Sequence, residues 1–291
     1  MNLWQNFVRP TSIPEAILAL TSSTGPAIPL AGGTDLLLDL EQGRHPPVQT
    51  VVDLSTVPEL QVLELRDEYL FIGAALPLNR VARHPLTTAH AQALVEACDL
   101  VGGPQVRNVA TLGGNVAHAL PAADGTIALL ALDAEAEIAS RSGQRRLPFG
   151  ELFLGPGKSA LKHGEELLVG FYIRRRDGAR AASCFNRIMR PQGVALPILN
   201  LAVWLERKGE ELKDVHIAVG PGAATPFRAH AAEAALRNRA LDESVVAFSL
   251  KALLGEIKFR SSARRASADY RRHLVSSLFR DTLAAAWQRA Q

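Results

Sequence analysis

Ala31-Gly32-Gly33-Thr34-Asp35 and Thr111-Leu112-Gly113-Gly114-Asn115 are two short glycine loops, each running on from an apolar stretch of the chain. Residues without a Cβ let consecutive amides turn towards one point, and the adjoining Thr34 and Thr111 add hydroxyls, so either loop could line a phosphate. Taken singly, a Gly-Gly pair is more often a plain turn. Taken together, the two suggest one diphosphate held from two sides.

The surrounding chain supports that arrangement. A helix is expected from about Ser12 and Pro14 to Leu20, with Ala16, Ile17 and Leu20 on one apolar face, followed by a turn at Thr21 to Pro26. Pro29-Leu30-Ala31 then runs extended into the first glycine pair, and Leu36-Leu37-Leu38 starts a short helix whose leading amides face the same point. The strand Thr50 to Leu54 carries Asp53 about twenty residues past the glycines, the distance of a ribose-binding acid in a dinucleotide fold. That reading fails because Gly-x-Gly-x-x-Gly is missing, and Asp53 is read as a strand-end residue. Leu63–Leu65 and Leu70–Gly73 predict a hairpin, and helices are expected at Leu78–Arg83 and Thr87–Leu100. Pro121-Ala122-Ala123-Asp124 precedes an apolar helix at Ile127–Leu132, where Asp124 suits both a helix cap and a ligand contact.

Beyond a basic turn at Arg174 to Gly178, three strands are expected at Ala182–Met189, Ile198–Glu206 and Val215–Gly220. Helices at Ala229–Asn238, Asp242–Leu254 and within Ser267–Gln291 would cover them. The basic residues of the last segment either solvate a helix or dock an acidic partner.

Composition narrows the function. The chain has 291 residues, 47% hydrophobic and 21% charged, enough for two domains with sizeable cores. A net charge of only +3 and an aromatic share of 5% disfavour a nucleic-acid partner. Cys98 and Cys184, far apart, cannot by themselves ligate an iron–sulfur cluster. Ser183 and Ser276 lack a nucleophile-elbow context, and His84, His90, His118 and His163 form no metal pattern, although His118 lies between the second loop and Asp124. The N-terminal residues carry no secretory signal pattern and no apolar run approaches a membrane span of about 20 residues, so a cytoplasmic location is expected.

The paired motifs at 31–35 and 111–115, followed by Pro-Ala-Ala-Asp at 121–124, resemble the FAD-binding medium subunit of the molybdenum hydroxylases, the xanthine dehydrogenase and carbon monoxide dehydrogenase type enzymes. The resemblance continues through Leu129 to Ala134, Glu165 to Leu168, Phe185 to Arg190 and Ala268 to Arg272. It implies an α+β chain. Residues 1–176 would form an FAD-binding PCMH-type domain of two α/β subdomains, about 1–54 and 55–176. Residues 177–291 would form a C-terminal domain like that of the carbon monoxide dehydrogenase flavoprotein, with a three-stranded antiparallel sheet and helices. The implied FAD contacts are Pro29, Leu30, Ala31, Gly32, Gly33, Thr34, Asp35 and Leu36 on the first loop, and Thr111, Leu112, Gly113, Gly114 and Asn115 on the second. Asp124 matches the family's cofactor-contacting acid, Val101 and Leu168 its apolar contacts to the flavin, and Arg187 falls where the family often has a lysine. Read from the residues alone, Arg187 is more readily a solvated strand residue.

Hydrogen bonds to a charged group contribute roughly 1.5–3 kcal/mol each, so a few preorganised amides go far towards the about 12 kcal/mol of nanomolar binding. Some members carry a four-cysteine insert after the second loop, and this chain has none. The resemblance further implies a molybdopterin-binding large subunit and a small subunit with two [2Fe-2S] clusters as partners. Electrons would pass through FAD to NAD, quinone or oxygen. A self-sufficient flavin oxidoreductase and a non-enzymatic assembly subunit with an unused FAD fold are the alternatives.

Overall fold

A computed structural model describes residues 3–176, 180–190, 196–263 and 265–291. Its order follows the chain: a small parallel sheet, a larger antiparallel sheet with helices, then a second antiparallel sheet under long helices.

The first unit pairs Trp4–Val8 and Ala27–Leu30 with a central Val48–Asp53, both in parallel. Helix Ile13–Thr21 starts where a serine and an early proline predict it, with Ser12 Oγ accepting from the Glu15 amide. It buries Ile13, Ala16, Ile17 and Leu20 in the core beneath the second sheet. Asp53 does end its strand: its carboxylate accepts from the Ser55 amide and pairs with Arg9 at 3.3 Å.

The second unit is a five-stranded antiparallel sheet in the order Leu63–Arg66, Tyr69–Gly73, Leu167–Arg174, Glu135–Ser140, Gly143–Pro148. Strand Leu167–Arg174 returns from far along the chain to the centre of this sheet. Its near-continuous apolar sequence fits burial on both faces, Leu168 and Phe171 towards the helices, Leu167 and Val169 towards the first unit. The helix expected over 87–100 is two helices, Pro85–His90 and Gln92–Leu100. Ala91, at φ −147 and ψ 51, breaks them apart.

The third unit is a meander of Arg180–Met189, Pro197–Lys208 and Glu211–Gly220, edged by two-residue strands at Phe227–Arg228 and Arg239–Ala240. Helices His230–Leu236, Glu243–Glu256 and Ala268–Arg289 supply much of its separate core. Of the expected turn at Arg174 to Gly178, Asp177 and Gly178 lie outside the described residues.

Helix Asp124–Ala131 joins the last two units. Every one of its residues is buried, between the helices of the second unit and the third unit's sheet. At its far end the Ala131 carbonyl oxygen lies 3.2 Å from His216 Nδ1, and Asp133 pairs with Arg228 at 2.9 Å.

Candidate functional site

The two glycine loops meet. Gly32 lies so close against the Val109–Ala110 backbone that a Cβ there would stand 2.8 Å from Ala110 Cα and closer still to the Val109 carbonyl oxygen. Only glycine permits this approach, and it brings the first loop to within a residue of Thr111. Gly33 follows at φ +70, a left-handed conformation that turns the chain into helix Leu36–Glu41. Leu30 anchors the loop in a small core with Val48 and Val51, with Leu36 and Leu37 packed on it, and Pro29 is half-buried in the strand behind.

The loops differ in what their amides do. Among the described residues, the amides of Gly32, Gly33, Thr34 and Asp35 meet no protein acceptor. In the second loop the Leu112 amide donates to the Leu76 carbonyl, Gly113 to Ala74, Gly114 to Thr111 Oγ1 at 3.1 Å and Asn115 to the Thr111 carbonyl. Thr111 is therefore the N-cap of helix Leu112–Ala117, and the expected second nest of free amides is absent from that loop. Gly113 serves packing instead: a Cβ would sit 2.6 Å from Ala74.

A buried polar corner lies beside the second loop. Asp124 is 4% exposed, and its Oδ1 accepts from Asn200 Nδ2 at 2.7 Å while Oδ2 takes Arg187 at 2.5 Å. The helix starts at Asp124 itself, with Ala123 in the cap position and no side-chain cap bond, so the capping role is not what this carboxylate performs. Burial pushes the Asp124 carboxyl above the ordinary carboxylate range, against the opposing pull of Arg187 and Asn200. The Arg187 side chain is only 6% exposed and is not a solvated strand residue. Arg187 and Asn200 are cross-strand partners, which is how two strands of the third unit deliver both donors to one carboxylate.

Several buried atoms here lack protein partners. Arg187 Nε, Asn115 Oδ1, Thr126 Oγ1 and Asn200 Oδ1 are all buried without a hydrogen bond among the described residues. Asn115 Oδ1 would lie 2.8 Å from a Cβ on Gly125, so the second loop and the Asp124 helix also touch. Val106 and Val109 remain 36% and 51% exposed beside the loops, an apolar surface open to solvent.

A model of the FAD binding domain in molybdopterin dehydrogenase matches residues 4–173, and one of the CO dehydrogenase flavoprotein C-terminal domain matches 183–286. The chain belongs to the FAD-binding medium subunits of the molybdenum hydroxylases. It is 29% identical to the xanthine dehydrogenase FAD-binding subunit of Escherichia coli O157:H7 over 97% of this chain and 95% of that one. It is 30% identical to the nicotine 6-hydroxylase medium subunit of Paenarthrobacter nicotinovorans, over 97% of each. Among solved structures it superposes on a chain of carbon monoxide dehydrogenase from Hydrogenophaga pseudoflava with a TM-score of 0.92, at 27% identity and 98% coverage of both. FAD is thus the cofactor, and the chain is a subunit of an oxidoreductase.

The residues present fit a medium subunit's FAD. Four open amides in sequence suit a diphosphate, and near the second loop Arg187 Nε and Asn115 Oδ1 are buried without a protein partner among the described residues. The exposed valines suit an apolar ring. Val101, the C-cap of helix Gln92–Leu100, packs against the same core that takes in Leu168, which lies beside an irregularity in the sheet between Leu168 and Gly170. Asn200 is the residue that sequence reading passed over, although it stands alone as a polar side chain in the apolar run Ile198-Leu199-Asn200-Leu201-Ala202.

No helix among the described residues is long and apolar enough to cross a membrane, and no group of three or more His, Cys, Asp or Glu there is arranged to hold a metal ion.

Proposed function

We propose that this chain is the electron-transfer subunit of a cytoplasmic molybdenum hydroxylase complex. Its partners are a molybdopterin-binding large subunit and a small subunit with two [2Fe-2S] clusters, and its external acceptor is NAD, quinone or oxygen. Bound FAD supplies the redox couple, taking electrons from the partner's clusters and releasing them to the acceptor. The observation that carries this reading is the row of open amides from Gly32 to Asp35, set beside a buried, doubly held Asp124.

The protein's own work is binding and orientation. The first-loop amides donate to the cofactor's diphosphate, with Thr34 adding a hydroxyl. The second loop holds its own shape and sets the depth of the cradle through Gly113 and Asn115. Asp124, fixed by Arg187 and Asn200, is a rigid acceptor at the other end, while Leu30, Leu36 and Val101 keep the walls apolar and the buried Leu112 and Leu168 hold the packing beneath them.

The test is co-expression with the two partner subunits, followed by measurement of flavin content and of reduction by the substrate of the large subunit. Wild-type complex should hold about one FAD per medium chain and lose it in Gly33→Val and Gly114→Val. Retention of FAD by both variants would overturn the assignment of the loops. Reduction by an organic substrate without partner chains would overturn the electron-transfer role.

A further inference from the structure

Asp35 occupies the N-cap position of helix Leu36–Glu41, where an aspartate ordinarily accepts an amide of the first turn. Here its backbone is helical, at φ −100 and ψ −48, and its side chain makes no cap bond. Its Oδ2 instead lies 3.3 Å from Nδ1 of His118. His118 in turn closes helix Leu112–Ala117, its amide donating to the Gly114 carbonyl. The pair therefore ties the loop with open amides to the loop whose amides are spent, at the mouth of the cradle, with 65% of the Asp35 side chain and 38% of the His118 ring exposed.

We propose that His118 is a positioning residue for the first glycine loop: as an imidazolium it holds Asp35 and cancels its charge, so the open amides accept the FAD diphosphate. As a neutral imidazole it leaves an uncancelled carboxylate beside that diphosphate. The inference rests on the first loop being the diphosphate site.

The surrounding charges agree in sense. Asp35 holds His118 above its ordinary 6.5, Asp39 adds to that, and partial burial opposes both. His118 holds Asp35 below the usual carboxylate range, with Arg44 assisting at longer range. Asp39 and Arg44 pair with each other at 2.8 Å, so neither replaces His118 as the partner of Asp35. Behind His118, the Gly157 amide donates to the Ala119 carbonyl, which brings up the hairpin carrying Lys158. Because the His118 value is raised, the pair is intact at mildly acidic pH and is lost as pH climbs through that raised value.

The experiment follows FAD release from the assembled complex by recovery of flavin fluorescence across pH 5.5–9. Wild type should release FAD about fivefold faster at the alkaline end, the effect of one unit charge near a screened surface site. His118→Gln should release at the fast rate throughout, whereas Asp35→Asn, with no carboxylate to uncover but with His118 still titrating, should release more slowly than wild type at the alkaline end and move the midpoint of its profile to lower pH. A wild-type pH profile in either variant overturns the proposal. Gly33→Val is the control for the underlying reading. Should it abolish FAD binding while His118→Gln keeps the wild-type profile, only the positioning role fails; should it leave FAD binding intact, the diphosphate site itself is misplaced.

Discussion

The two sides of the cradle are built on opposite principles although they carry near-identical motifs. On the first side, Gly32 to Asp35 hold their amides open at the surface, and the loop's shape comes from a single left-handed glycine and a close approach to Val109. On the second side, Thr111 to Asn115 spend every amide from Leu112 onward on the protein, and a buried Asp124–Arg187–Asn200 cluster stands behind them. A glycine pair is thus a permission for close approach, and whether ligand or protein makes that approach depends on where the neighbouring amides point. The first side should be read out in cofactor affinity alone, whereas damage to the second should also appear in the stability of the flavin-free protein.

The largest effect expected is on the buried side. Arg187→Met leaves Asp124 buried without its cation, which should lower stability by about 3–5 kcal/mol in denaturant melts of the flavin-free protein. Burial raises the Asp124 carboxyl in the fold, so the fold holds that proton more tightly than the unfolded chain does, and the loss should shrink as pH falls. An equal loss at acid and neutral pH would show that the cluster is not what sustains this side.

Gly32→Val strikes where the sides touch. Its Cβ meets backbone, which cannot swing away, so about 1–3 kcal/mol of stability should go together with the cofactor. Loss of FAD at unchanged melting temperature would mean that the loops are not packed on each other as described. A smaller effect separates the sides most cleanly. Thr111→Ala removes the cap and should cost about 1 kcal/mol in the flavin-free protein. Thr34→Ala, by contrast, should leave that stability within about 0.5 kcal/mol and act through FAD affinity alone. If Thr111→Ala changes only FAD affinity, the distinction between an open and a closed loop collapses.

Much of the fold is legible in local pattern. Ser12 and Pro14 announce a helix, Arg66-Asp67-Glu68 a hairpin, and the alternation after residue 180 a meander, because caps, turns and pleats are properties of a few adjacent residues. The break at Ala91 is hidden, since Thr87 to Leu100 contains no glycine or proline to mark it. Asp124 illustrates the same limit. Its place at the head of an apolar helix makes a cap plausible, yet the donors that claim it come from Arg187 and Asn200, on strands 63 and 76 residues away.

The sequence by itself determined the family, through the paired glycine motifs at 31–35 and 111–115 and the Pro-Ala-Ala-Asp at 121–124. Only the tertiary structure decided that the first turn keeps its amides free, that the second gives them to Ala74, Leu76 and Thr111, and that Asp35 reaches His118 rather than its own helix. The reason is physical. A residue's conformational permission is written in its own side chain, whereas the partner of a hydrogen-bond donor or a buried charge is chosen by whatever the fold brings within about 3 Å of it.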